Sequence, residues 1–164
     1  MSDRKLANQL EALLDEELAA RGRTTAVINK QIEALQAKDR LAFAGCTTDM
    51  ETELSSNAER GQRRAKIVAA LAARWRVAPT ALTLTSIAKR LGEAGGRIST
   101  KRASLREAVA TELWANRRLG TLMRAERQIV RDLLRSIYGE DVERRSTALE
   151  TSWTRRHKIC QASE

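Results

Sequence analysis

The sequence predicts an all-α protein: an elongated antiparallel coiled coil of three main helices with a short linker helix before the last. Two observations carry this expectation. The chain has 164 residues, 31% charged and 42% hydrophobic but only 3% aromatic, a mix suited to thin packing through Leu and Ala rather than to a thick core. Apolar residues also recur every seven positions in three long stretches, the spacing of helices that seek partner helices.

The first helix is expected over about 3–44. Leu14, Ile28, Leu35 and Ala42 fall on one seven-residue stripe, interrupted by Arg21, and Leu10, Leu18, Thr25 and Ile32 fill the neighbouring one. Gly45 is the expected stop, because glycine tolerates the left-handed conformation of a helix end. Thr48 and Glu51 have capping-box spacing, which places a second helix over about 48–76. Its stripe is Leu54, Gly61, Val68 and Trp75, with Ala58, Ala65 and Ala72 beside it.

Pro79 then breaks the pattern and pushes Ala78 towards extended geometry. "SIAKRL" is expected to form the short linker helix, and "GEAGG" a flexible connection. The last helix is expected over about 100–138. Its stripe is Val109, Asn116, Met123, Val130 and Ile137, widened by Leu113, Leu119, Leu122, Leu133 and Leu134. Asn116 in that stripe is expected to set register or to contact a partner. Trp75 is expected in the core, and Trp114 at its edge. The helix should end at Gly139, directly after Tyr138, the only tyrosine. A helical domain of 1–142 would be followed by a tail of 143–164, a short helix or a segment that orders on binding, with Trp153 as an exposed anchor.

Charge is uneven. Residues 1–60 hold 8 Lys/Arg against 11 Asp/Glu, and residues 61–164 hold 22 against 10. A basic half can signal nucleic acid, yet no run of five basic residues occurs, which argues against nucleic acid as the partner. No apolar stretch approaches 18 residues, so membrane insertion is not expected. Cys46 and Cys160 fit no metal or redox spacing, and there is no apolar leader, so a cytoplasmic location is expected.

Catalysis is not expected. The single histidine, His157, has no metal-ligand or catalytic companion, and no phosphate loop or nucleophile elbow occurs. Adjacent carboxylates such as Asp15–Glu16 read as solvated. No cofactor is implied.

The order of these pieces resembles a family. A long helix opening on "LANQLEALLDEE", a second helix, a Pro/Thr/Leu link, and a last helix with "LWANRRLGTL" closing at "IYGEDV" look like FlgN, the flagellar type III export chaperones. Leu113, Asn116 and Leu119, then Ile137, Tyr138, Gly139 and Asp141, carry the likeness. Trp114 and Val142 depart from the family's pattern. The resemblance spans about residues 5–142. It implies a cytoplasmic helical chaperone without enzymatic activity. Such a chaperone holds hook-associated junction proteins, prevents their premature assembly and delivers them to the membrane export gate. It further implies that Tyr138, with Gly139, docks at the gate, and that Asn116, Met123, Val130 and Trp153 contact the client. A basic helical coiled-coil scaffold, or a nucleic-acid-associated protein, is the alternative from a different class. The client and the oligomeric state are left open.

Overall fold

The computed structural model describes residues 2–138, which are almost entirely helical; no strand occurs among them. The long helices are α1 (Asp3–Gln36), α2 (Arg40–Trp75) and α4 (Glu93–Tyr138). A 3-10 turn (Pro79–Ala81) and the short helix α3 (Leu84–Arg90) lie between α2 and α4. Two compact units divide the chain, 1–120 and 121–164. The expected boundary at residue 142 lies outside the described residues.

The break between the first two helices falls earlier than Gly45. Ser2 caps α1 by accepting from the Lys5 N–H. After Gln36 the chain turns through Lys38, whose φ of 58° is left-handed. Asp39 then caps α2, its carboxylate accepting from the Ala42 N–H at 2.9 Å. An aspartate at an N-cap satisfies an otherwise orphaned amide, and this outweighs the left-handed lysine. Gly45 and Thr48 are both inside α2. The Thr48 carbonyl accepts from the Thr52 hydroxyl one turn later, so its spacing to Glu51 marks no helix start.

The link after α2 follows residue chemistry closely. Arg76 ends α2 in the left-handed conformation. Ala78 is extended before Pro79, at φ −65°, ψ 136°. Thr83 and Ser86 form a reciprocal capping box that starts α3. The glycines that follow divide. Gly92 turns with φ 59°, but Gly95 and Gly96 belong to α4, so "GEAGG" is not a flexible connection. Gly95 is required by closeness: a Cβ there would sit 1.8 Å from the Ala88 carbonyl oxygen. The backbone of α3 thus lies directly on the first turn of α4.

Helix direction in the first unit follows from ion pairs. Asp3, Glu16, Glu17 and Arg23 of α1 meet Arg74, Arg63, Arg64 and Glu53 of α2. Numbers rise along one helix as they fall along the other, so the two run antiparallel. Glu11, Asp15 and Arg21 of α1 meet Arg97, Lys101 and Glu112 of α4. Here both rise, so α1 and α4 run parallel.

The core gathers at one end of this arrangement. Leu6, Leu10 and Leu14, each four residues apart, line one face of α1 and are fully buried. They belong to one apolar cluster with Leu71, Ile87 and Ile98, one from each of the other helices. Burying a leucine side chain fully is worth about 1.5–3 kcal/mol. Trp75 is half-buried against this cluster. Its indole N–H donates to Asp3 at 3.2 Å, and the Arg90 guanidinium lies 5.4 Å from its ring centre.

The expected stripe of α4 is rotated, and that of α2 holds only in its second half. In α2, Val68 and Trp75 pack against the core, and Ala72 is buried, as expected, but earlier in the helix the shielded positions are Cys46, Glu53 and Arg60, each one residue before the expected heptad position. Leu54 is therefore 60% exposed. In α4, Ile98, Leu105, Glu112 and Leu119 are buried or half-buried, whereas Val109, Met123, Val130 and Ile137 are exposed. The large hydrophobes named the wrong face because small or charged residues, Ala115 and Glu112 among them, occupy the covered one. Leu10→Ala should lower unfolding free energy in urea by roughly 2–5 kcal/mol. Leu54→Ala should change it by less than about 0.5 kcal/mol, and a loss comparable to that of Leu10→Ala would refute this rotation.

Candidate functional site

A layer of charge crosses the middle of the first unit. Arg21, which interrupts the α1 stripe, donates to both carboxylate oxygens of Glu112 on α4, at 3.1 and 3.2 Å. Beside it, Arg23 grips Glu53 of α2 with two nitrogens, at 2.6 and 3.3 Å. The two-nitrogen fork of Arg23 is both strong and directional, whereas Arg21 reaches both oxygens with a single nitrogen. Arg60 stands one heptad after Glu53 and is 7% exposed. Its guanidinium is 3.8 Å from Glu53, and its Nε has no hydrogen-bond partner. The Arg23 hydrogen bond holds the Glu53 carboxyl below its ordinary range, with charge attraction from Arg23 and Arg60 adding to it. The Asp3 carboxyl is lowered too, first by the Trp75 indole N–H and then by Arg74.

A second feature lies on the described part of the second unit, the helical segment 121–138. Met123 and Val130 are seven residues apart and so share one side, with Ile129, Leu133, Leu134 and Ile137 alongside. All six are exposed, Met123 at 42% and Val130 at 53%. Tyr138 ends the segment at 64% exposure. Arginines occupy much of the opposite side, and Gln128 donates to Asp132 at 2.8 Å. The segment is thus an amphipathic helix whose apolar side stands open.

The expected site residues fare differently. Asn116 is exposed beside the buried Ala115, so it cannot set register inside a packed seam. Trp114 is also largely exposed, with the Arg118 guanidinium 6.0 Å from its ring centre. Gly139, Trp153, His157 and Cys160 lie outside the described residues. Asp15 and Glu16 are exposed, as expected, and also form surface ion pairs with Lys101 and Arg63. Those pairs could not be read from spacing, because each joins residues 47 or 86 positions apart. The one legible signal was Arg21 inside an apolar stripe, which demands an opposite charge facing it.

Among the described residues, no group of three His, Cys, Asp or Glu side chains could hold a metal ion, and no helix is long and apolar enough to cross a membrane. Comparison with family models, with curated proteins and with solved structures finds no match.

The charged layer has a pH signature. A carboxyl whose folded pKa is lowered adds stability that is full above its unfolded value, about 4.5 for Glu53, and is lost as pH falls through the lowered folded value. Glu53→Gln should lower the melting temperature at neutral pH, where it leaves Arg60 without its ion pair. The same substitution should flatten the decline of melting temperature below about pH 4.5. Parallel melting curves for the two proteins across that range would contradict this role.

Proposed function

We propose that this protein is an export chaperone of the flagellar type III kind. It holds a hook-associated junction protein in the cytoplasm, prevents premature assembly and presents the client to the membrane export gate. One observation carries the reading: the apolar stripe of 121–138, left open and ending in the exposed Tyr138. A client segment that assembles by helix-on-helix packing can be covered only by a helix offering a comparable apolar face. Met123 and Val130 supply that face. Asn116, exposed elsewhere on α4, and Trp153 of the tail extend the client contact. Tyr138, with Gly139, serves the gate: a phenol ring can fill an apolar dimple while its hydroxyl stays wet. Coiled-coil interdigitation of α1 with the antiparallel α2 and the parallel α4 belongs to the same proposal.

The basic second half gives less support to a nucleic-acid role than its charge suggests. Arg63, Arg64, Arg74, Arg97 and Lys101 are each engaged by a carboxylate of α1. Part of the charge asymmetry is therefore complementarity within the first unit.

Val130→Asp should leave helicity and melting intact, because this position is exposed, yet weaken co-purification with a junction protein by at least about tenfold. Equal recovery of the client would remove Val130 from the contact. Tyr138→Ala should change stability by less than about 0.5 kcal/mol and preserve client binding while lowering secretion of the client. Tyr138→Phe should secrete nearly normally. Normal secretion by Tyr138→Ala would end the gate-docking role.

A further inference from the structure

The first unit carries a second open surface, on the part of α4 that precedes Asn116. An open cleft is lined by Glu17 and Arg21 of α1, Arg64 of α2, Leu84 of α3 and one face of α4. That face comprises Arg102, Leu105, Arg106, Val109, Ala110 and Leu113. Their offsets are 0, 3, 4, 7, 8 and 11, one continuous helical stripe. Leu105 is shared with the covered stripe through Ile98, Glu112 and Leu119, and packs on the core; Val109, Ala110 and Leu113 lie outside that stripe. So α4 has a covered face here and, adjoining it at Leu105, an open one. Val109 and Leu113 remain exposed on the open one.

The cleft's charge is lopsided: four arginines against one glutamate. Arg64 is held by Glu17, and Arg21 by Glu112. Among the described residues, Arg102 and Arg106 have no acidic partner. They stand one turn apart, directly beside the apolar positions Leu105 and Val109. An apolar floor with an unneutralised basic rim calls for an apolar ligand bearing carboxylates on its flank. From Arg102 to Leu113 the floor runs about 17 Å, or three helical turns. The surrounding walls are helices, with no strand edge to extend.

We propose that this cleft docks an acidic amphipathic helix of a partner protein, its leucine-type side chains on the exposed Val109 and Leu113, at the edge of the half-buried Leu105, and its carboxylates on Arg102 and Arg106. Such a helix would complete a bundle whose α4 face is otherwise left open. Helix-in-groove contact supplies the affinity, and the matched charge sets orientation and selectivity. This surface does not depend on the export reading, and it predicts a partner even if that reading fails.

The test uses the full chain and a fluorescein-labelled synthetic helix of about 18 residues, with Leu at i, i+3, i+4 and i+7 and Glu on the flanks. Anisotropy should report saturable binding that weakens as salt rises. Replacing every Glu by Lys should lower affinity at least about tenfold. Arg102→Glu with Arg106→Glu should do the same at unchanged helicity, and Arg102→Lys with Arg106→Lys should recover most of it. Val109→Ser should weaken binding without altering melting. Arg131→Glu, in the second unit, should have no effect. Should the double reversal fail to fold, Arg106→Ala, a fully surface change, serves instead and should still weaken binding. The proposal is overturned if the acidic helix does not bind, if its lysine version binds equally, or if the arginine variants bind like the parent. It is overturned equally if phosphatidylglycerol vesicles bind through Arg102 and Arg106 while the acidic helix does not.

Discussion

Leu6, Leu10 and Leu14 hold the first unit together. They are spaced by four on α1, and they share one buried cluster with Leu71 of α2, Ile87 of α3 and Ile98 of α4. Every helix of the unit thus commits its best-buried aliphatic to the same end. The link between α2 and α4 is built around this point. Pro79 stops propagation of α2, the Thr83–Ser86 box restarts a helix, and Gly95 lets α3 lie against α4 without a Cβ between them. Leu71 and Ile98 can meet the α1 leucines only if the chain reverses within this short link.

Away from that end small residues share the interior with fewer large ones: Ala20, Ala34 and Ala115 are buried alongside Ile28, Ile32 and Leu119, and each alanine contributes little apolar area. In their neighbourhood the helices are matched by charge instead. Arg21–Glu112 and Arg23–Glu53 sit where a uniform leucine stripe would have allowed sliding by a heptad. Partly buried ion pairs add little net stability against their desolvation, but a misregistered pair is costly. Arg60 fits that account only in part: it approaches Glu53, yet its Nε is unsatisfied. The leucine cluster supplies stability, and the charged layer selects one register.

The same division explains why α4 has surface to spare. Its early covered face is consumed by α1, while Arg102, Leu105, Arg106 and Val109 line an open cleft. Its turns from Met123 to Tyr138 expose a further apolar stripe. Open apolar faces on a chain this rich in charge suit a protein whose work is contact with other chains. They also assign its basic excess two different roles: inner pairing to α1 and an unneutralised rim on the cleft.

By itself the sequence determined the helical class, the break at Pro79, the extended Ala78 and the short linker helix. Each follows from local chemistry: few aromatics, seven-residue spacing, a residue that cannot donate. It also showed Arg21 interrupting the α1 stripe. What it could not determine was which face of each helix would be covered. Leu54 and Val109 outranked Glu53 and Glu112 as core positions on hydrophobicity alone, yet lie outside the covered faces. Only the tertiary structure decided this, because burial of a charge depends on a partner far along the chain: Arg23 stands 30 residues from Glu53, and Arg21 stands 91 from Glu112. The turn at Lys38 was missed for a related reason. A glycine is a strong stop signal when the helix beyond it has nowhere to pack, but Asp39 could cap a new helix earlier, and α2 lies antiparallel along α1 from that cap onward.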